Sequence, residues 1–280
     1  MISVKRNKKG EPVKAPGVRV RSSSIYRPNQ ADLFKISRGK FSDFLTCKRC
    51  FYLDRVKGLI SPSTPGWTLN ETTDLLLKKE FDLCRDQQIP HRTFEKFGLV
   101  NVVPFQHESI DVWRDSLHGG LQHHIEGTNV IISGGIDDIW HDLSTNELIV
   151  VDYKSQASVR EVTAQSYLSG IFHQGYKIQL EIYAYILSKM GFTVSHIGYF
   201  YVCNGDRTAE AFNGRIVFAE TLVPYSLNTT WIETKLLEMI DVMNSETLPP
   251  RNFSCENCAY SQQRESMEAL WSCSSQGTQL

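Results

Sequence analysis

Asp137, Asp152 and Lys154 carry the strongest chemical signal in the chain. NVIISGGIDDIWHD (129–142) and ELIVVDYKS (147–155) read as two strands joined by a turn at 143–146. If the turn is centred between Ser144 and Thr145, Asp137 faces Asp152, Ile139 faces Val150 and His141 faces Leu148. Directly opposed side chains on a sheet have Cβ atoms about 4.5–5.5 Å apart. Strand side chains alternate, so Lys154 shares the face of Asp152, while Asp138 and Tyr153 point away. Two facing acids repel, and a cation, a shared proton or Lys154 must offset them. A hard divalent ion such as Mg²⁺ takes oxygen ligands of this kind. Lys154 would then orient an attacking water or steady charge on a phosphate. These are the parts of a metal-assisted phosphodiester hydrolase. The plainer alternative is an ion pair among the three. Against it stands the apolar run ELIVV, which reads as a buried strand where acids need partners.

A second constellation is made of cysteines. Cys47-Lys48-Arg49-Cys50 and Cys255-Glu256-Asn257-Cys258 are two C-x-x-C pairs. Four thiolates in such pairs suit a tetrahedral Zn²⁺ site or a four-iron cluster. The alternative is two unrelated pairs of reduced thiols; neither follows the βα unit of a thioredoxin-like motif. Cys84, Cys203 and Cys273 carry no assigned role. The eight histidines form no metal-spacing motif. Seven cysteines in 280 residues are no disulfide scaffold, and a cytoplasmic setting is expected.

These groups need elements to hold them. The spacing predicts helices over 37–57, 68–86, 107–117, 173–191 and 231–246, and strands over 129–142, 147–155, 194–205 and 215–225. That order gives one α/β domain with a mixed sheet and added helices at both ends. Residues 1–30 hold eight Lys or Arg against one acid, so the remainder sums to −8 in a chain of net charge −1. The segment reads as a flexible basic arm suited to polyanions, or as a solvated tail. The expected division is the arm at 1–30, one domain over 31–262 with the Cys pairs at its ends, and a tail at 263–280. No apolar run reaches the roughly 18–20 residues of a membrane span, and the basic start has no apolar stretch behind it.

Gly134-Gly135-Ile136-Asp137, then Val150-Val151-Asp152-Tyr153-Lys154, then Gln179-Leu180-Glu181-Ile182-Tyr183 resemble the G-x-x-D, (D/E)-x-K and Q-x-x-x-Y motifs of PD-(D/E)XK nucleases. The order, spacing and placement on strand, strand and helix are similar to the RecB-like branch, which includes CRISPR-associated exonucleases with a cysteine-bound cluster. The likeness runs from about residue 37 to 260. It implies a restriction-endonuclease-like core, a central mixed β-sheet flanked by helices, with helical and Cys-rich extensions at both ends. It also implies Mg²⁺ or Mn²⁺ at Asp137, Asp152 and the Tyr153 carbonyl, with Lys154 catalytic. Gln179 and Tyr183 would border the active site and touch the DNA backbone.

Two departures stand out. RecB-like members usually carry a metal-binding His on the first long helix. The corresponding residue here is Asp74, which is either a further Mg²⁺ or Mn²⁺ ligand or a solvent-facing helix residue; Glu71 and Glu80 are less favoured. Iron–sulfur relatives usually have one Cys upstream and three downstream, not two and two. The resemblance implies a 4Fe-4S cluster at Cys47, Cys50, Cys255 and Cys258, whereas spacing alone implies Zn²⁺. The expected activity is metal-dependent hydrolysis of DNA, acting on single strands or duplex ends, in repair, recombination or defence, with a helicase or other repair protein as partner. The rival reading is a nuclease-fold subunit that binds nucleic acid or assembles without cutting. A weaker third reading is a zinc-stapled interaction domain.

Overall fold

The turn at 143–146 closes where the sequence places it, with Asn146 in the left-handed region at φ 60°, which asparagine tolerates. The computed structural model describes residues 4–62 and 66–276, with side chains as far as Trp271. In chain order the elements begin with β1 (Phe34–Ser37), α1 (Arg38–Thr46), α2 (Lys48–Arg55), α3 (Thr68–Gln87) and α4 (Arg92–Lys96). There follow β2 (Val102–Pro104), α5 (Ile110–Arg114), β3 (Leu121–His124), β4 (Val130–Gly134), β5 (Asp138–Asp142) and β6 (Glu147–Gln156). The chain continues through α6 (Ala164–Leu168), α7 (Gln174–Lys189), β7 (Ile197–Gly205), β8 (Phe218–Ser226), α8 (Ile232–Asn244) and α9 (Glu256–Gln276).

The described chain divides into two compact units. One comprises Lys35–Arg38 and Pro65–Ile232. Its main sheet has the order β2-β5-β6-β7-β8, with β6 and β7 parallel and the other neighbours antiparallel. This is the expected mixed sheet flanked by helices. The register is also as expected: Ile139 pairs with Val150 and His141 with Leu148. Leu148 to Tyr153 are all buried, as in a strand covered on both faces. Leu77 and Phe81 of α3 and Phe94 of α4 pack with Trp140, Val151, Tyr153 and Tyr201 on one face. Helix α7 is buried from Gln179 to Leu187, and its Gln179 reaches Asp152 on the opposite face.

The single strand expected over 129–142 is instead two strands in different sheets: β4 joins β1 and β3, and β5 joins the main sheet. The break follows two glycines. A Cβ on Gly134 would lie 2.6 Å from the Tyr183 ring, and one on Gly135 2.7 Å from Ser116. The chain passes so close to its neighbours that no side chain fits there.

The other unit comprises Met1–Phe34, Gly39–Thr64 and Glu233–Leu280. The one helix expected over 37–57 is two, because Cys47 adopts an extended conformation (φ −156°, ψ 103°) and becomes the N-cap of α2. The basic segment expected as a flexible arm is bonded to this unit from Gly17 onward. Arg19 N donates to Gly58 O, Ile60 N to Gly17 O, and Tyr26 N to Arg55 O. The buried Tyr26 hydroxyl donates to Asn244 Oδ1 at 2.7 Å. Helix α9 runs through the boundary expected at 262/263. The side chain of Cys273 and residues 277–280 lie outside the described residues.

Candidate active site and cysteine centre

Asp137 sits in the break just before β5, one step beyond the last paired residue. Its carboxylate is held there by the next strand: Tyr153 N donates to Asp137 Oδ2 at 2.9 Å. Asp152, on β6, is fully buried. The two carboxylates are close enough for the Asp137 charge to act on Asp152, and Asp137 is held against the strand that carries Asp152. Lys154 lies two residues along the same strand and its ammonium pairs with Asp152 Oδ2. Gln179 completes the ring, donating from Nε2 to Asp152 Oδ1 at 2.7 Å. Burial and the adjacent Asp137 push the Asp152 carboxyl up to about 7, against the pull of Lys154. Burial alone would lower Lys154, but Asp152 and Asp137 hold its ammonium above the ordinary value.

The residue types fit a hard cation. Asp152 Oδ2 is buried and accepts no well-formed hydrogen bond; among the described residues its ion-pair partner is Lys154. A buried carboxylate oxygen held by a single ammonium, beside a second carboxylate, is a ligand set that a divalent ion would take. The Tyr153 carbonyl accepts only a 3.3 Å contact from Lys154 Nζ. Asp74, near the start of α3, is close enough for burial and then the Asp137 charge to raise its pKa, and it pairs with Lys78 at 2.9 Å. Its carboxylate does not close on the other two: among the described residues, only the four cysteines bring three or more such ligand atoms within 4.8 Å of one another.

Tyr183 is 1% and Gln179 8% exposed. Both border the site, as their four-residue spacing implies, with Gln179 Nε2 3.3 Å from the Tyr183 hydroxyl. Burial pushes the Tyr183 phenol up to about 12. Their polar groups face Asp152 and each other.

Sequence reasoning missed several supports. Asp138 points away from the site, as expected, but into a charge cluster: Arg85 at 2.5 Å and Arg114 at 2.9 Å donate to its Oδ1. The Tyr153 hydroxyl donates to its Oδ2 at 2.7 Å. Asp138 thus anchors the residues on either side of the face that bears Asp152 and Lys154, Asp137 by chain connection and Tyr153 directly. Tyr176 was also missed. Its ring centroid lies 4.7 Å from Lys154 Nζ, and His173 and Tyr167 stack behind it. The signal was present: 176, 179 and 183 fall on one face of α7.

The four cysteines meet within one unit. Cys47 and Cys255 each stand immediately before a helix, and Cys50 and Cys258 lie in the first turns of α2 and α9. Cys47 Sγ is 3.7 Å from Cys258 Sγ; Cys50 Sγ is 3.7 Å from Cys255 and 3.6 Å from Cys258. Straps fix the two segments: Asn252 Nδ2 donates to Thr46 O, and Arg49 to Pro249 O. Burial, then bonds among the thiols, push the Cys50 thiol up. A metal ion would replace those shared protons.

With this geometry in hand, comparison with known proteins is decisive on one point. The model of the PD-(D/E)XK nuclease superfamily matches residues 66–263. The chain belongs to that superfamily. A solved structure, a "Putative exonuclease" from Eubacterium rectale, is similar at 15% identity, over 81% of this chain and 87% of that one, with a TM-score of 0.40. No curated protein matches. Among the described residues, no helix is long and apolar enough to cross a membrane.

Proposed function

We propose that this superfamily member is a divalent-metal-dependent nuclease that hydrolyses DNA phosphodiesters at the Asp137–Asp152–Lys154 face. The observation that supports it is the pair of neighbouring acids from adjacent segments, with the buried Asp152 Oδ2 held by Lys154 and by no well-formed hydrogen bond. Asp137, Asp152 and the Tyr153 carbonyl would hold Mg²⁺ or Mn²⁺, with Asp74 at the margin. Such an ion acts as a Lewis acid on the phosphate and lowers the pKa of an attacking water. The chain's own groups do the rest. Tyr153 N and Gln179 Nε2 fix the two carboxylates. Lys154, whose ammonium pairs with Asp152 in this structure, would be the group to face a phosphate or a water, with the Tyr176 ring limiting where it can go. A RecB-like exonuclease in repair, recombination or defence, working beside a helicase, is the setting consistent with the motifs.

The cysteine centre supports a single ion. A tetrahedral site with metal–sulfur bonds of about 2.3 Å has sulfur–sulfur edges of about 3.8 Å, close to the spacing here. In a four-iron cluster each sulfur binds its own iron, which spreads the sulfurs further apart. We therefore favour Zn²⁺ over 4Fe-4S.

The test is incubation of labelled single- and double-stranded DNA, and RNA, with Mg²⁺, Mn²⁺ or EDTA, alongside Asp152→Ala and Lys154→Ala. Metal-dependent cleavage lost in both variants supports the site; cleavage persisting in both removes it. The Asp74–Lys78 pair, which leaves the two acids without a close third carboxylate, favours a second reading, a non-cleaving nucleic-acid-binding subunit. Binding without cleavage under every metal condition would select it.

A further inference from the structure

Beyond the C-terminal end of the strand that carries Lys154, two loops converge. The segment after β6 is stapled to the end of β7: Ser158 N donates to Asn204 Oδ1 at 2.8 Å, and Asn204 Nδ2 donates back to Ser158 O at 3.1 Å. The staple places Arg160 and Arg207 on one cavity of about 500 Å³. A second cavity, about 460 Å³, carries Arg215 and Phe212 and shares Asp206 and Val217 with the first. The two cavities adjoin at these shared residues, giving a concave track along the β6–α6 and β7–β8 loops.

The chemistry of this track is unusual for a chain whose residues past 30 sum to −8. Several other basic side chains of this unit are ion-paired: Arg85 and Arg114 with Asp138, Arg92 with Glu80 and Glu220, Lys78 with Asp74. Arg160, Arg207 and Arg215 make no ion pair among the described residues. Asp206, the acid both cavities share, is turned onto Thr208 N and Oγ1 at 2.8 and 2.7 Å. Glu161 and Glu210 are the remaining acids on the lining. Between the arginines stand exposed apolar groups: Phe212 at 70% and Val159 at 73% exposure. Unpaired guanidinium groups match phosphates, and an open aromatic ring matches an unstacked base. A duplex offers no such base, because its bases are stacked inside.

We propose that these two loops bind a single-stranded stretch of the substrate nucleic acid, with Arg160, Arg207 and Arg215 on its phosphates and Phe212 stacked on a base. The occupant is named as substrate on the strength of the nuclease reading, since the β6–α6 loop follows directly on the strand bearing Asp152 and Lys154. Binding itself needs no cleavage, so the two claims separate.

The experiment is fluorescence anisotropy of the full chain with a labelled single-stranded oligonucleotide and a labelled duplex, in EDTA, across a salt series. It uses the wild type, the Arg160→Ala/Arg207→Ala/Arg215→Ala variant and Phe212→Ala. The triple variant should bind the single strand at least about tenfold more weakly at moderate salt, with a salt slope shallower by about 2. Phe212→Ala should weaken single-strand binding about tenfold and leave the slope and duplex binding unchanged. Equal affinity and slope for wild type and triple variant would overturn the proposal, as would a wild type that binds no single strand. If the triple variant weakens binding but no metal supports cleavage, the nuclease reading fails and the track stands. If the wild type cleaves and the triple variant keeps its affinity, the track alone fails.

Discussion

Gln179 Nε2 donates to Asp152 Oδ1 at 2.7 Å, joining the buried helix α7 to the fully buried carboxylate at the centre of the sheet. The bond favours the ionised carboxylate, while burial and Asp137 oppose it. A partner one step behind a metal ligand sets that ligand's orientation and charge, and its loss typically weakens metal affinity or activity about 10–100-fold. Gln179→Leu should therefore raise the Mn²⁺ concentration needed for half-maximal cleavage by about that factor. A Mn²⁺ titration of activity checks this; an unshifted midpoint would show that Gln179 does not tune Asp152.

Neighbouring acids should respond in opposite ways. Asp138 is fully buried and, with Asp82, balances the charges of Arg85 and Arg114 while accepting from Tyr153 and Trp140. Asp138→Asn leaves two largely buried guanidinium groups with the part-exposed Asp82 as their remaining anion, a loss of about 3 kcal/mol. Asp137→Asn does the reverse. It removes one of two facing carboxylates while keeping an oxygen for Tyr153 N, so stability should hold or rise by about 0.5–2 kcal/mol as cleavage disappears. Urea denaturation of both variants measures the contrast. Equal destabilisation would mean that Asp137, too, is structural.

The catalytic face was legible because two local rules suffice to build it. The turn centre fixes the register, and strand alternation assigns Asp152 and Lys154 to one side and Asp138 and Tyr153 to the other. The cysteine spacing was equally local. What the sequence hid is whatever depends on distant partners. Arg85 and Arg114 lie 53 and 24 residues from Asp138, and no periodicity links them. Strand β3, LQHH, is short and alternates buried with part-exposed residues too weakly to stand out. The break between β4 and β5 did carry a mark, the Gly134-Gly135 pair, whose packing against Tyr183 and Ser116 appears only once the chain has folded.

The unit that carries the cysteines has its own acid sensitivity. Burial would raise Asp54, but Arg55, Lys40 and Arg19 more than reverse this and hold it at about 2. A carboxylate with a folded pKa below its unfolded value of about 3.9 contributes stability that is complete above pH about 4 and is lost as pH falls toward 2. Discounted for the partly exposed Arg19 and Lys40, the contribution is about 1–2 kcal/mol. Asp54→Asn should lower stability by that amount at pH 7 and flatten the loss between pH 4 and 2. Chemical denaturation at several pH values tests it, and a variant with the wild-type pH slope would assign the acid sensitivity elsewhere.

Removing the ion at the cysteine centre should be felt by the fold rather than by the chemistry. Cys50 and Cys255 are 205 residues apart in sequence, and α2 and α9 meet through four thiols that each gain a bond when one tetrahedral ion replaces their protons. Binding of that kind is folding free energy, so chelation or Cys255→Ser should lower the unfolding midpoint sharply. Protein purified without oxygen should be colourless and carry one zinc per chain by elemental analysis. A brown protein with about four irons and matching sulfide would instead mean that the sulfurs open outward around a cluster, and that the tetrahedral spacing does not describe the loaded site.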